Sequence, residues 1–248
     1  MSNQADLVAE AHNPHNARIP AIDIARTAAL LAMIIYHFFW DLSALGFIAP
    51  DTMYASGWVW FAKCIAASFL FLAGFSLWLA HGEKTRWRPF WRRLGVLTLA
   101  AVLISVVTYF TFPNGWIRFG ILHSIAASSL IGMLLLRSPS LVLLGLIVLI
   151  YALNNVELVA FNAPLLIWTG LGTQIPYMLD YEPLIPWLAA LLAGLLTAKL
   201  IAPRLPLQDS ANKPPALLLW PGRHSLVIYL LHQPILYGTL MAVKNLSA

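Results

Sequence analysis

Charge is what this chain has least of. Asp, Glu, Lys and Arg make up only 10% of its 248 residues, against about 25% in soluble domains. Hydrophobic residues reach 60% and mean hydropathy is +0.76. A water-soluble fold is therefore excluded, and the chain reads as an integral membrane protein. Its one cysteine, Cys64, excludes an intramolecular disulfide framework and any cysteine-cluster metal site. No His-x-x-x-His pair occurs either, so no metal is expected. Internal repeats and a large polar domain are both lacking. The first seventeen residues carry two acids and two histidines and lack the basic-then-apolar order of a signal peptide. The expected organisation is a flexible polar N-terminus (1–17) before a single transmembrane domain (18–248).

A bilayer is spanned by about 20 apolar residues in a helix. Seven runs are candidates: Ala21–Leu42, Gly57–Ala80, Leu94–Phe112, Ile117–Leu136, Ser138–Leu153, Pro183–Ile201 and Gly222–Met241. The fifth has a short apolar core. Leu158–Leu171 is short and contains Pro164, which fits an interfacial or re-entrant segment. The expected fold class is all-α, a polytopic membrane helix bundle of about seven spans. Lys84, Arg86, Arg88, Arg92, Arg93, Arg18, Arg137, Lys199, Arg204 and Lys213 fall on one side of that arrangement. Asp51, Glu157, Asp180 and Glu182 fall on the other, with Arg118, Lys244 and a snorkelling Lys63. The positive-inside rule then puts the N-terminus in the cytoplasm and the C-terminus outside. The net charge of +5 reports topology, and no nucleic-acid partner is expected.

The first span ends in "YHFFWDL" and begins with "AIDIARTA". At 100° per residue, with Arg26 at zero, His37 falls at about 20° and both Asp23 and Asp41 at about 60°. All four ionisable groups share one stripe. Ordinary helix ends would account for Asp23 or Asp41 singly, but not for four groups facing one way. Ionisable groups inside a membrane are costly and mark function. Asp41, four residues after His37, is placed to hold one ring nitrogen and leave the other as a general base. Arg26 lies about 16 Å nearer the cytoplasm by helix rise, where a cation suits the anionic end of an extended ligand.

Other spans carry further polar groups. "RFGILHSIAASS" puts His123 about two turns below the outer face, at a depth like that of His37; a satisfied packing histidine is the plain alternative. Ser124 and Ser128 fit close helix packing. "PGRHSLVIYLLHQPIL" puts Ser225, Tyr229 and His232 within about 60° of one another. Pro234 is expected to kink that helix. Arg223 opens it, either as an interface anchor or as a phosphate contact. In "FLFLAGFSLWL" Gly74 and Ser76 form a small-residue patch, for helix packing or for ligand accommodation. The Arg86–Arg93 run reads as a topology signal and secondarily as a phosphate rim.

Arg26, ten residues, then His37 resembles the Arg-x10-His signature of membrane acyltransferases that O-acetylate bacterial surface sugars. More closely, the chain resembles a family of small bacterial membrane proteins homologous to the catalytic domain of heparan-α-glucosaminide N-acetyltransferase. "RIPAIDIARTAALLAMIIYHFFWDL", "FLFLAGFSLWL", "RFGILHSIAAS" and "PGRHSLVIYLLHQPIL" carry it in order, over nearly the whole membrane domain. The resemblance implies a cytoplasmic acyl-CoA (acetyl-CoA) donor and a hydroxyl or amino acceptor on a sugar-type molecule arriving from the other side. It matches His37 to the family histidine and Arg26 to the family arginine. Relatives with transferase activity carry extra helices or a luminal domain that this chain lacks, so the acceptor does not carry over.

The expected function is a transmembrane acetyltransferase of a bacterial cytoplasmic membrane. His37 and Asp41 would act at the reacting end, with His123 and His232 positioning or stabilising an oxyanion. Asp23, Arg26, Arg223, Ser225, Tyr229, Gly74 and Ser76 would line the donor's path. Expected partners are the lipid bilayer, acyl-CoA and a glycan or amino-sugar acceptor, with homo-oligomerisation left open. The rival readings are a small proton-coupled transporter, which lacks support from inverted repeats, and a non-catalytic subunit that kept the fold.

Overall fold

The computed structural model describes residues 19–204 and 214–247. Arg18, Lys213 and the N-terminal 1–17 segment lie outside the described residues. Helices dominate, and no strand occurs among the described residues. In lipid this follows from the backbone, because a helix satisfies its own N–H and C=O groups where no water can. The helices are α1 (Pro20–Ala44), α2 (Ser56–His81), α3 (Trp87–Thr111), α4 (Ile121–Leu134), α5 (Ser140–Leu153), α6 (Leu184–Ile201), α7 (Ala216–Arg223) and α8 (Ser225–Ser247). Five of them (α1, α2, α3, α6 and α8) are long and apolar enough to cross a membrane, and α4 and α5 are shorter apolar helices. The chain is thus an all-α membrane helix bundle.

Several boundaries differ from expectation for local reasons. α3 starts at Trp87, seven residues before the expected Leu94. Arg88, Arg92 and Arg93 therefore ride on a helix rather than in a loop, their long stems reaching from the apolar rod toward the interface. α4 and α5 have 14 residues each, about 21 Å at 1.5 Å per residue, less than the hydrocarbon thickness of about 30 Å. The stretch before α4 is spent on a turn at 113–120. The last expected span, Gly222–Met241, begins in the final residues of α7 and continues as α8. α7 contains Pro221 and closes at His224 (φ −108°, ψ 25°), and α8 begins at Ser225. Pro234 lies inside α8, which continues past it to Ser247. The 158–171 segment forms two short 3-10 turns, Val159–Asn162 and Pro164–Thr169, and does not cross.

The centre is the α2–α6 pair, with α4 and α5 packed against it. Leu70, Leu191, Leu192 and Leu195 are completely buried there. Two glycines set the approach of the two helices. A Cβ on Gly74 would overlap the Leu191 carbonyl, and one on Gly194 would overlap the Phe71 carbonyl. Small residues that let backbones meet are the usual means of packing helices in lipid. Gly74 therefore has a packing role at this crossing.

α1 lies beside α2, α7 and α8. Arg223 meets Asp23 at one end of this seam, and the Lys244 ammonium donates to the Leu45 carbonyl (2.7 Å) at the other. α1 and α8 thus run side by side in the same direction. One face of the bundle collects the start of α1, the end of α2 and the end of α6, through the Ile22–Phe75–Ala198 cluster. The end of α4 joins them, where Lys199 donates to the Ser138 carbonyl at 2.7 Å. The opposite face collects Leu45, the turn before α4 and the 177–182 loop.

Replacing Gly74 or Gly194 with Val should destabilise the bundle by about 1–3 kcal/mol through overpacking. The same change at Gly145, where a Cβ meets nothing within 4 Å, should not. Thermal unfolding in detergent checks this, and equal midpoints for all three would refute the crossing as the constraint.

Candidate active site

The seam between α1 and α8 gathers most of the polar groups singled out in the sequence. At its first end, the Asp23 carboxylate accepts from Arg26 Nη1 (3.1 Å) and from Arg223 Nε (3.2 Å). The Arg26 Nη2 group also donates to Ser76 Oγ at 2.6 Å, and Ser76 donates to the Leu72 carbonyl. Ser76 of α2 is thus joined to the α1 stripe. Close approach of α7 makes this possible: a Cβ on Gly222 would overlap the Asp23 carbonyl. Thr27 completes the joint. Its hydroxyl accepts from the Gly222 N–H (3.0 Å) and lies 3.0 Å from the Asp23 carbonyl and 2.8 Å from that of Leu218. Arg93 of α3 is near enough for its charge and that of Arg26 to act on each other, and Arg86 and Arg93 both act on His81. Converging like charges make this end a favourable place for an anion.

The other end is built around two histidines. The rings of His37 and His232 stand with centroids 4.9 Å apart. Tyr36 packs edge-on to His37 at 5.6 Å, and Tyr229 lies 5.7 Å from His232. Asp41 is almost completely buried, at 1% exposure. Its Oδ1 accepts from the Gln233 side-chain amide at 2.7 Å. The expected His37–Asp41 hydrogen bond does not form among the described residues. Asp41 instead takes a partner from across the helix interface. Four buried polar atoms here have no protein partner: His37 Nδ1, Asp41 Oδ2, His232 Nε2 and Gln233 Oε1. An unpaired buried polar group costs about 1–3 kcal/mol, so a cluster of four is a strong sign of a site that binds something.

The remaining candidates separate clearly. His123 is not brought to His37. Its Nδ1 accepts from the Gly120 N–H (3.2 Å) and its Nε2 lies 3.2 Å from Ser105 Oγ, which donates to the Ile117 carbonyl. Both ring nitrogens are thus used in shaping the turn before α4. Ser225 begins α8 beside the His224 break. Ser124 and Ser128 are fully buried on α4 without hydrogen-bond partners.

Two groups escaped the sequence reading. Gln233 stands next to His232 in sequence but falls about 40° past Tyr229 on the wheel, beyond the edge of the stripe drawn on α8; only its contact with Asp41 across the helix interface reveals it. The 177–182 loop is likewise revealed only by long-range packing. Asp180 accepts from the first free N–H of α4, at Ile121 (2.9 Å), and Glu182 N–H donates to the Phe119 carbonyl. The charges of Asp180 and Glu182 act on Tyr229, and that of Glu182 also on Tyr36. The loop therefore lies within charge range of the two tyrosines that flank the histidine rings. Burial pushes the Asp180 carboxyl up to about 6, with the Ile121 hydrogen bond opposing. Burial and the Asp180 charge raise Glu182 well above the ordinary range, with Lys63 opposing.

The family described as heparan-alpha-glucosaminide N-acetyltransferase, catalytic, matches residues 18–234. The chain belongs to that family and is a transferase-type enzyme of the membrane. No curated protein and no solved structure matches it significantly.

The raised carboxyls of the 177–182 loop set a pH dependence with a definite sign. Groups raised in the fold favour the folded chain below their unfolded values of about 4. That contribution is lost as pH rises through about 6 for Asp180, and higher for Glu182. Thermal midpoints in detergent should fall by about 2–4 °C per kcal/mol lost between pH 5 and pH 8. Asp180→Asn with Glu182→Gln should flatten that fall; an unchanged slope would refute the assignment.

Proposed function

We propose that the protein is a bacterial cytoplasmic-membrane acetyltransferase that moves an acyl group from acyl-CoA to a hydroxyl or amino group of a sugar-type acceptor. The observation that carries this reading is the α1–α8 seam itself. A basic end built from Arg26, Arg223 and Arg93 and a histidine end with four unpaired buried atoms lie on one continuous strip. Arg26 and His37 are eleven residues apart on α1, about 16 Å by helix rise. An extended donor with phosphates at one end and a thioester at the other suits such a strip.

In this reading the phosphates lie against Arg26, Arg223 and the first turns of α3. Asp23 holds both of its arginines at fixed distance, which keeps their charge in place without a long-side-chain entropy cost on binding. The thioester reaches the His37–His232 pair, and the acceptor enters from the opposite face beside the 177–182 loop. An imidazole there accepts the acceptor's proton, a step that contributes about 10²–10⁴-fold in rate. Positive-inside sorting places the arginine-rich face in the cytoplasm, which is the side where acyl-CoA is made available.

Purified protein in vesicles, given radiolabelled acetyl-CoA and cell-envelope glycans or amino sugars, should transfer label. Replacing both His37 and His232 with Ala, which removes every imidazole of this pair, should lower that transfer by at least about 100-fold while acetyl-CoA binding stays unchanged. Absence of acetyl-CoA binding by the wild type would favour a transporter instead. For the orientation, single cysteines at the exposed positions Glu157 and Arg137 in a Cys64→Ala background decide. Glu157→Cys should react with an impermeant thiol reagent from outside, and Arg137→Cys only after permeabilisation. The reverse pattern would invert the topology.

A further inference from the structure

The geometry points to His232, through Nε2, as the group that takes the proton from the acceptor, with the adjacent Gln233 holding Asp41 across the helix interface. This rests on the transferase reading above and goes past it by choosing between the two histidines. Sequence spacing favours His37 as the base, because Asp41 follows it by four residues. The hydrogen bonds distribute the roles differently.

His232 Nδ1 lies 2.6 Å from the Tyr229 carbonyl oxygen. A carbonyl only accepts, so in the neutral ring Nδ1 carries the hydrogen and Nε2 carries the lone pair. That Nε2 is buried with no protein partner, and its ring faces His37 at 4.9 Å. The backbone thus fixes the tautomer in advance, as a carboxylate does in other catalytic histidines. His123 shows the contrast. Its Nδ1 accepts from Gly120, so Nε2 must hold the hydrogen, directed at Ser105. No lone pair is left on that ring for chemistry. On His37, Nδ1 has no protein partner and Asp41 does not orient the ring.

Asp41 has turned to Gln233. An amide oxygen placed 2.7 Å from the carboxylate would repel it, so the nitrogen must face Asp41, leaving Gln233 Oε1 and Asp41 Oδ2 as two unpaired acceptors. Gln233 follows His232 directly in sequence, so one turn of α8 presents a proton acceptor and the residue that holds the neighbouring carboxylate. The step balances without any further reagent. The acceptor's O–H or N–H gives its proton to His232 Nε2, and the freed lone pair bonds to the thioester carbonyl carbon. The C–S bond breaks, the sulfur leaves with its electron pair, and it takes the proton back from Nε2. An acylated acceptor, a free thiol and a neutral His232 result.

Two measurements test this on the full chain in lipid nanodiscs. Nitrogen NMR of ¹⁵N-histidine-labelled protein should show the His232 ring protonated at Nδ1 and bare at Nε2, assigned by its loss in His232→Asn or His232→Gln. A proton on Nε2 would overturn the proposal. In kinetics, His232→Asn keeps a donor for the Tyr229 carbonyl but deletes the Nε2 lone pair. It should lower kcat by about 10²–10⁴-fold, abolish the acid limb of the pH profile and leave acetyl-CoA binding intact. Retained turnover with the wild-type pH profile would sink the assignment. Gln233→Ala should lower kcat about ten- to a hundredfold with the acetyl-CoA KM unchanged; a KM effect alone would refute its positioning role. Wild-type protein that transfers to no acceptor would overturn the transferase reading, while the ring-nitrogen spectrum would still decide the tautomer.

Discussion

Asp23 accepts from Arg26 of its own helix and from Arg223 at the end of α7. That shared carboxylate, with Thr27 bridging to the Gly222 N–H, holds the entry to α8 against the entry to α1. Everything farther along the seam inherits its register from this joint. Two helices fixed at one end and running in the same direction keep step, so His232 arrives beside His37 and Gln233 beside Asp41. Lys244 closes the far end on the Leu45 carbonyl. Leaving the Asp23 carboxylate unpaired in so apolar a setting would cost several kcal/mol, so the joint has strong reason to stay closed.

The joint also explains why α7 and α8 are separate. A straight helix through Pro221 and Gly222 would carry Arg223 along one axis with His232. The break at His224 lets α7 lie against the start of α1 while α8 follows its own direction along the seam. Pro221 supplies no N–H and Gly222 no side chain, so the chain can turn where the α1 backbone comes closest. Gly222–Met241, expected as one span, therefore takes its first residues from an anchoring helix and the rest from the helix that carries His232 and Gln233.

Much of this was readable from periodicity. The wheel on α1 placed Asp23, Arg26, His37 and Asp41 on one stripe, and the structure directs that stripe at α7, α8 and Ser76. The bundle class followed from apolar runs alone. What was not readable was pairing across helices. Asp41 had an obvious neighbour four residues away and took Gln233 instead, 192 positions along the chain. His123 had the depth of His37 but was drawn into the turn before α4. Asp180 is placed in a loop by its position in the chain, but only the packed bundle shows that it caps the first exposed N–H of α4, where an acid suits the helix dipole. Local spacing states which residues share a face; only the packed bundle decides which face meets which.

The energetic balance of the histidine end bears on its purpose. A buried polar group left without any partner costs about 1–3 kcal/mol, and here Asp41, Gln233 and His232 each pair through one atom and leave another free. Apolar side chains such as Leu30, Met33 and Ile228, which cluster nearby, carry no such penalty. Hydrogen bonds already made confine the disorder such groups would otherwise have: Tyr229 fixes one ring and Gln233 one carboxylate oxygen. The unpaired atoms are thus held in definite directions rather than left to relax toward one another. A preorganised set of this kind pays its cost before the reaction and needs no reorganisation during it. In the proposed reading, that preorganisation is what a site for proton transfer requires and what simple packing does not.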